Sequence, residues 1–260
     1  MPFAESATGA RIYWKLEGRE NAAPLVLLNS IGTDMDLWEP ALPMLRPHHR
    51  LLRIDTRGHG ASDVVAGDPS LADLSADVTA VMDAAGIDRA AIAGVSLGGM
   101  IAMEMALSDP TRVDRLVLVC TSATMDKAAW ADRVVKVRSE GMAAIADLAM
   151  GRFLSPEFAA ADPAMTATIR RGLLAMDAEG YAACAAAIRD LDLHGRLSAI
   201  SCPVLVVTGN RDTSTPLFGH GEHLLAAIAG ARHVALDAAH LAPLEAPATL
   251  SQAIESFLPR

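Results

Sequence analysis

Nowhere does this sequence reach the roughly 18 consecutive apolar residues of a membrane-spanning helix, although 52% of its 260 residues are hydrophobic. A helical membrane protein is not expected. The opening stretch, MPFAESATGARIYW, has neither a basic n-region nor a long apolar h-region, so no secretory signal is expected and the cytoplasm is the expected compartment. Cysteine is scarce. Cys120, Cys184 and Cys202 are odd in number and widely spaced, which is no disulfide framework, and buried reduced thiols are the expectation. Positive charge is in deficit too, with 22 lysines and arginines against 31 acidic residues and a net charge of −9. Nucleic acid, whose phosphates need a basic surface, and anionic membranes are disfavoured as partners. A small anionic substrate is not excluded, because it responds to the local charge inside a pocket. Internal repeats and low-complexity tracts are also missing.

What the chain does have is alternation. The strand-like runs RIYWKLE, APLVLLNS, RLLRIDT, RAAIAGVS, VDRLVLVC, CPVLVVTG and RHVALDA are separated by helical patterns such as Leu74–Ala85 and Gly99–Leu107. This rhythm predicts a mostly parallel, doubly wound α/β sheet with helices on both faces. It breaks once. From about Ala123 to Leu193 there are only amphipathic helical patterns, punctuated by LSPEF and ADPAM. The expectation is a helical cap, residues 123–193, inserted into a core made of residues 1–122 and 194–260 and lying over the strand ends.

Residues 94–100 read GVSLGGM, between the apolar run RAAIA and the helix-like IAMEMAL. Glycines at 94 and 98 permit a very tight turn and close backbone approach. Ser96 at its crest would expose its hydroxyl above the strand ends, and strand, elbow and helix are the context that a G-x-S-x-G nucleophile requires. A plain strand-to-helix turn is the alternative for the same residues. A serine hydroxyl needs a base, and the base needs an orienting partner. Of eight histidines, His240 in LDAAHLAPLEAP follows the last strand-like run, on the rim expected for Ser96. His48, His49, His220, His223 and His233 are expected on the surface. His220 and His223 stand three apart but have no third ligand nearby to make a metal site. Asp212, in VVTGNRDTSTP, follows the PVLVV run. An Asx turn or helix cap would explain it, but the order Ser96, Asp212, His240 is that of α/β-hydrolases. Backbone N–H donors to an oxyanion are expected from Leu97, after the serine, and from Ile31 in NSIGTD, where Gly32 lets the loop turn.

With these motifs and DTRGHGASD at 55–63, the sequence resembles the α/β-hydrolase superfamily over nearly its full length. Within it, NSIGTDMDLWEP, DTRGHGAS, GVSLGGM, AAWADRVVKVRSEGM and YAACAAAIRDLDL resemble the 3-oxoadipate enol-lactonases of aromatic catabolism. The resemblance implies a serine hydrolase that opens an anionic enol-lactone without metal or organic cofactor. Another carboxylesterase, lactonase or perhydrolase, a C–C bond hydrolase, or a ligand sensor that retains the triad would share these parts. A haloalkane dehalogenase would carry aspartate at position 96. In AAWADRVVKVR, Trp130, Arg133, Val134, Val137 and Arg138 fall on one helical face. That face either packs the cap or roofs the pocket, with Trp130 on the lactone and Arg133 or Arg138 on its carboxylate.

Overall fold

The computed structural model describes residues 2–259, and they form one eight-stranded sheet in the order β1-β2-β4-β3-β5-β6-β7-β8. The strands are β1 (Phe3–Glu5), β2 (Arg11–Gly18), β3 (Pro24–Leu28), β4 (Arg50–Ile54), β5 (Ala90–Val95), β6 (Val113–Val119), β7 (Val204–Gly209) and β8 (Arg232–Leu236). β1 and β2 run antiparallel to their neighbours, and β3 to β8 are mutually parallel. Strands β5 and β7 are buried at every residue. Both faces of such a strand are covered, which explains their continuous apolar runs without alternation.

Helices α1 (Leu42–Leu45), α2 (Leu71–Ala84) and α3 (Leu97–Ser108) follow the first strands. A reciprocal capping box between Ser70 and Asp73 starts α2, satisfying two otherwise orphaned N–H groups. The α3 residues Leu97–Ala106 are all buried, so this helix is covered all round rather than amphipathic. Between β6 and β7 come α4 (Lys127–Glu140), α5 (Ala146–Phe153), α6 (Pro156–Ala161), α7 (Pro163–Ala175) and α8 (Ala178–Arg189). The two ends of this insertion meet where the Leu193 N–H donates to the Ala123 carbonyl at 3.0 Å. Helices α9 (Glu222–Ala227), α10 (Ala242–Glu245) and α11 (Pro247–Phe257) complete the chain. Among the described residues no helix is long and apolar enough to cross a membrane.

The connectivity creates a crevice. From β3 the chain proceeds outward to β4, whereas β5 lies on the opposite side of β3. Loops leaving two such strands at their carboxyl ends diverge, and ligands of open α/β sheets bind in the gap between them. The loop after β3 begins at Asn29, and the one after β5 is the Ser96 turn.

Candidate active site

Ser96 stands between β5 and α3 with φ 54° and ψ −114°, a left-handed backbone conformation that costs a residue with a Cβ about 1–3 kcal/mol. Three glycines make room for this elbow. A Cβ on Gly94 would lie 2.3 Å from the Gly98 carbonyl carbon, one on Gly98 would lie 2.7 Å from the Leu28 backbone, and one on Gly99 would lie 2.7 Å from Thr121. The turn is then held from three sides. The Ser96 N–H donates to the Val119 carbonyl at 2.9 Å, the Gly98 N–H to the Asn29 carbonyl at 3.0 Å, and the Thr121 hydroxyl to the Ser96 carbonyl at 2.6 Å.

His240, on the loop between β8 and α10, presents Nδ1 to Asp212 Oδ2 at 3.0 Å. Asp212 is itself anchored after β7 by the Ser214 N–H at 2.7 Å and the Thr215 hydroxyl at 2.8 Å. The Asx-type turn and the histidine contact are both present, one for each carboxylate oxygen. Burial works to raise the Asp212 pKa, but the charge and hydrogen bond of His240, with the Ser214 and Thr215 donors, outweigh it and bring the value down to about 2. An ionised acceptor on Nδ1 fixes the ring so that Nε2 is the free nitrogen. Ser96 and His240 line one cavity with Ile31, Met100, Ser214 and Thr215 of the core and Met125, Trp130, Arg133, Ala149, Arg152 and Phe153 of the insertion. Among the described residues Ile31 and Leu97 donate no backbone N–H to a protein acceptor, so both donors remain available beside the serine. Phe153 lies parallel to the His240 ring, with centroids 6.4 Å apart and planes at 9°. The cavity holds only about 20 Å³ of free space, room for about one water.

The two arginines expected on α4 part company. Arg133 lines the cavity, its guanidinium 4.5 Å above the Trp130 ring and its Nη1 3.4 Å from the Tyr181 hydroxyl. Arg138 does not line it. It is exposed and forked onto Glu179 at 2.6 Å and Asp68 at 2.5 Å, one turn too far along the helix. A second pocket arginine was not foreseen: Arg152 on α5, whose pKa is lowered by burial and by the like charge of Arg133. The histidines also divide. His49 is 3% exposed, not on the surface as expected, because its Nε2 meets Glu255 of α11 at 2.7 Å. His220 contacts the Ser122 hydroxyl at 2.8 Å, and His223 packs edge-on against His194. Among the described residues no group of three or more His, Cys, Asp or Glu side chains is arranged to hold a metal ion.

Comparison with known proteins agrees with this fold. Residues 23–247 match the family model of the alpha/beta hydrolase fold. The chain is 31% identical to 3-oxoadipate enol-lactonase 2 of Acinetobacter baylyi, across 94% of this chain and 91% of that one. Among solved structures, a hydrolase from Pseudomonas aeruginosa superposes with a TM-score of 0.95 at 40% identity, covering 99% of this chain and 98% of the other. The enol-lactonase from Burkholderia xenovorans superposes with a TM-score of 0.95 at 36% identity, covering 98% and 99%. Sheet order, strand–elbow–helix junction and family match together place the chain in the α/β-hydrolase fold family.

Proposed function

We propose that this α/β hydrolase opens the lactone ring of 3-oxoadipate enol-lactone, giving 3-oxoadipate in the breakdown of aromatic compounds. One observation carries the choice of substrate. The cavity shared by Ser96 and His240 contains two arginines and no aspartate or glutamate, in a protein whose net charge is −9. Two half-buried guanidiniums with no carboxylate lining the cavity favour a ligand that brings its own carboxylate. Kinship with enol-lactonases supports the same choice.

Ser96 attacks the lactone carbonyl while His240 Nε2 takes the hydroxyl proton, and Asp212 holds the resulting imidazolium. The Ile31 and Leu97 N–H groups receive the oxyanion. Collapse of the tetrahedral intermediate breaks the ring C–O bond, and His240 returns the proton to the leaving enol. The enol tautomerises to a ketone, which makes ring opening effectively irreversible. His240 then activates water to release the acid from Ser96. Helices α4 to α8 act as a cap, with Trp130 against the ring and Arg133 on the carboxylate. The proposed steps use only protein groups and water.

The test is a substrate panel on the purified chain. The enol-lactone is expected to exceed neutral aryl esters in kcat/KM by at least tenfold. Turnover of aryl esters with none of the enol-lactone would reject the substrate assignment and leave the ester-hydrolase reading standing.

A further inference from the structure

His59 belongs to none of the steps above, yet it is 1% exposed and sits against the loop that carries Ile31. Its Nε2 lies 3.0 Å from the Gly32 nitrogen and its Nδ1 lies 3.1 Å from the Arg57 carbonyl oxygen. A peptide N–H can only donate and a carbonyl can only accept. The two partners therefore admit one form of the ring, neutral with the proton on Nδ1 and a lone pair on Nε2. Burial agrees, pushing the imidazole pKa down to about 4.

The turn this ring holds is the one that aims Ile31. The Thr33 N–H donates to the Ser30 carbonyl at 3.2 Å and Gly32 has φ +81°, so residues 30–33 form a type II β-turn with Ile31 and Gly32 at its centre. The Thr33 hydroxyl also donates to the Ser30 carbonyl, at 2.8 Å. In a trans peptide the N–H points opposite to the C=O, so anchoring the Ser30 oxygen directs the Ile31 N–H away from Thr33. The next peptide is held more loosely, its Ile31 carbonyl accepting only a long bond from the Ser30 hydroxyl at 3.3 Å. Types I and II differ by a flip of the central Ile31–Gly32 peptide, and glycine tolerates both. The flip would turn the Ile31 carbonyl oxygen toward the His59 lone pair, acceptor against acceptor, and would disturb the backbone of Ile31 itself.

We propose that His59 is a positioning residue for the oxyanion hole, accepting the Gly32 N–H so that the 30–33 turn stays in the form that presents the Ile31 N–H beside Ser96. This inference rests on the ester-hydrolase reading of Ser96 but not on the identity of the lactone. Other members of DTRGHGASD support the same loop from neighbouring points, since Asp55 Oδ1 accepts the Met35 N–H at 2.8 Å. His59 is the side chain that takes the N–H of the central peptide.

The experiment compares His59→Phe, which fills the space without an acceptor, with His59→Gln, whose amide oxygen can reach the Gly32 N–H. Both are assayed on 4-nitrophenyl acetate, with Ser96→Ala as the control. His59→Phe is expected to lower kcat by about 10- to 100-fold, less than or equal to the loss of a whole oxyanion donor, with KM changed less than threefold. The inhibition constant of phenylboronic acid, whose serine adduct mimics the tetrahedral intermediate, should weaken by the same factor as kcat/KM. His59→Gln should recover most of both. A kcat within threefold of the parent, or a kcat loss with unchanged boronate affinity, would overturn the proposal. If His59→Phe does not fold, the ¹⁵N shifts of the His59 ring in the unaltered protein decide at pH 7: a proton on Nδ1 with a bare, hydrogen-bonded Nε2 supports it, and a proton on Nε2 overturns it. Residual ester turnover by Ser96→Ala would instead reject the reading of the site on which the inference stands.

Discussion

Glu245 holds both donors of Ser155, its Oε1 accepting the N–H at 2.6 Å and its Oε2 the hydroxyl at 2.8 Å. Oε2 also takes the N–H of Ala239 at 3.2 Å, the residue before His240. Just after it, the Leu241 N–H donates to the Phe153 carbonyl at 3.0 Å. The histidine loop and the α5–α6 corner of the insertion are thus tied together on both sides of His240. Glu245→Ala should destabilise the protein by about 2–3 kcal/mol, since hydrogen bonds to a charged acceptor are worth more than neutral ones. It should also cut kcat/KM by about tenfold or more through misplacement of the imidazole. Urea unfolding and steady-state kinetics check this, and unchanged kinetics with lost stability would show that the tie serves packing alone.

Ser96→Ala should fold and lose at least ~10⁴-fold in turnover, and Asp212→Asn should lose a comparable factor with substrate affinity largely kept. The backbone adds a second expectation at the same position. Because Ser96 sits at φ 54°, Ser96→Gly should be more stable than Ser96→Ala by about 1 kcal/mol. Thermal unfolding of the two inactive variants reads this directly. Equal stabilities would mean that the elbow carries no strain.

Arg133→Ala and Arg152→Ala should each lower kcat/KM for the anionic lactone by about 10- to 100-fold, the worth of a charge-assisted hydrogen bond. Neutral aryl esters should be hydrolysed almost as before. Arg138→Ala should leave both substrates unaffected, because its guanidinium is committed to Glu179 and Asp68. Parallel losses on charged and neutral substrates would assign Arg133 and Arg152 to packing.

His59 also predicts a pH signature in stability. Its folded pKa is depressed from 6.5 to about 4, so as pH falls through 6.5 the unfolded chain takes up a proton that the folded chain refuses. The contribution of the neutral ring is intact above pH 6.5 and is lost as pH falls toward 4, to a total of about 3 kcal/mol. Asp55 acts in the opposite sense over an overlapping range, because burial raises its pKa from 3.8 to about 6. The two slopes offset each other in the parent, and only a difference exposes either. The stability advantage of the parent over His59→Gln should therefore shrink by about 3 kcal/mol between pH 7 and pH 4. A gap that stays constant in denaturant titrations across this range would contradict a neutral buried ring.

Much of the fold was legible because burial writes itself into apolar runs. Strands β2 to β8 each coincide with a strand-like run, apolar throughout in the buried β5 and, apart from Thr208, in the buried β7, whereas β2 and β8 bury one residue each. β1 went unread because three residues at a sheet edge carry no periodic signal. The elbow was legible because only glycine fits at 94 and 98, and the acid and histidine because they follow strands on the rim of Ser96. Helical periodicity named the right face of α4 but not its reach. Arg138 stands eight residues beyond Trp130, about 12 Å along the axis, whereas Arg133 is within one turn. Arg152 left no trace in the sequence, since it enters the cavity from a different helix that only tertiary packing brings there. His49 was misread because a histidine beside a loop gives no sign of the α11 carboxylate it meets.

Gly58 and Gly180 touch through their backbones. A Cβ on Gly180 would lie 2.4 Å from the Gly58 oxygen, and one on Gly58 would lie 2.7 Å from the Gly180 Cα. Four residues on, the Cys184 thiol reaches the Arg57 carbonyl at 3.3 Å. Helix α8 is therefore riveted to the loop that also carries His59. Residues 146–175, which supply Arg152 and Phe153 to the cavity, are held to the core differently, by the bonds of Ser155 and Phe153 to Glu245 and Leu241. Such a division separates what can vary from what cannot. New substrate preferences can arise by exchanging residues along α5 to α7, while the riveted α8 and the elbow beneath it retain the geometry that breaks the bond.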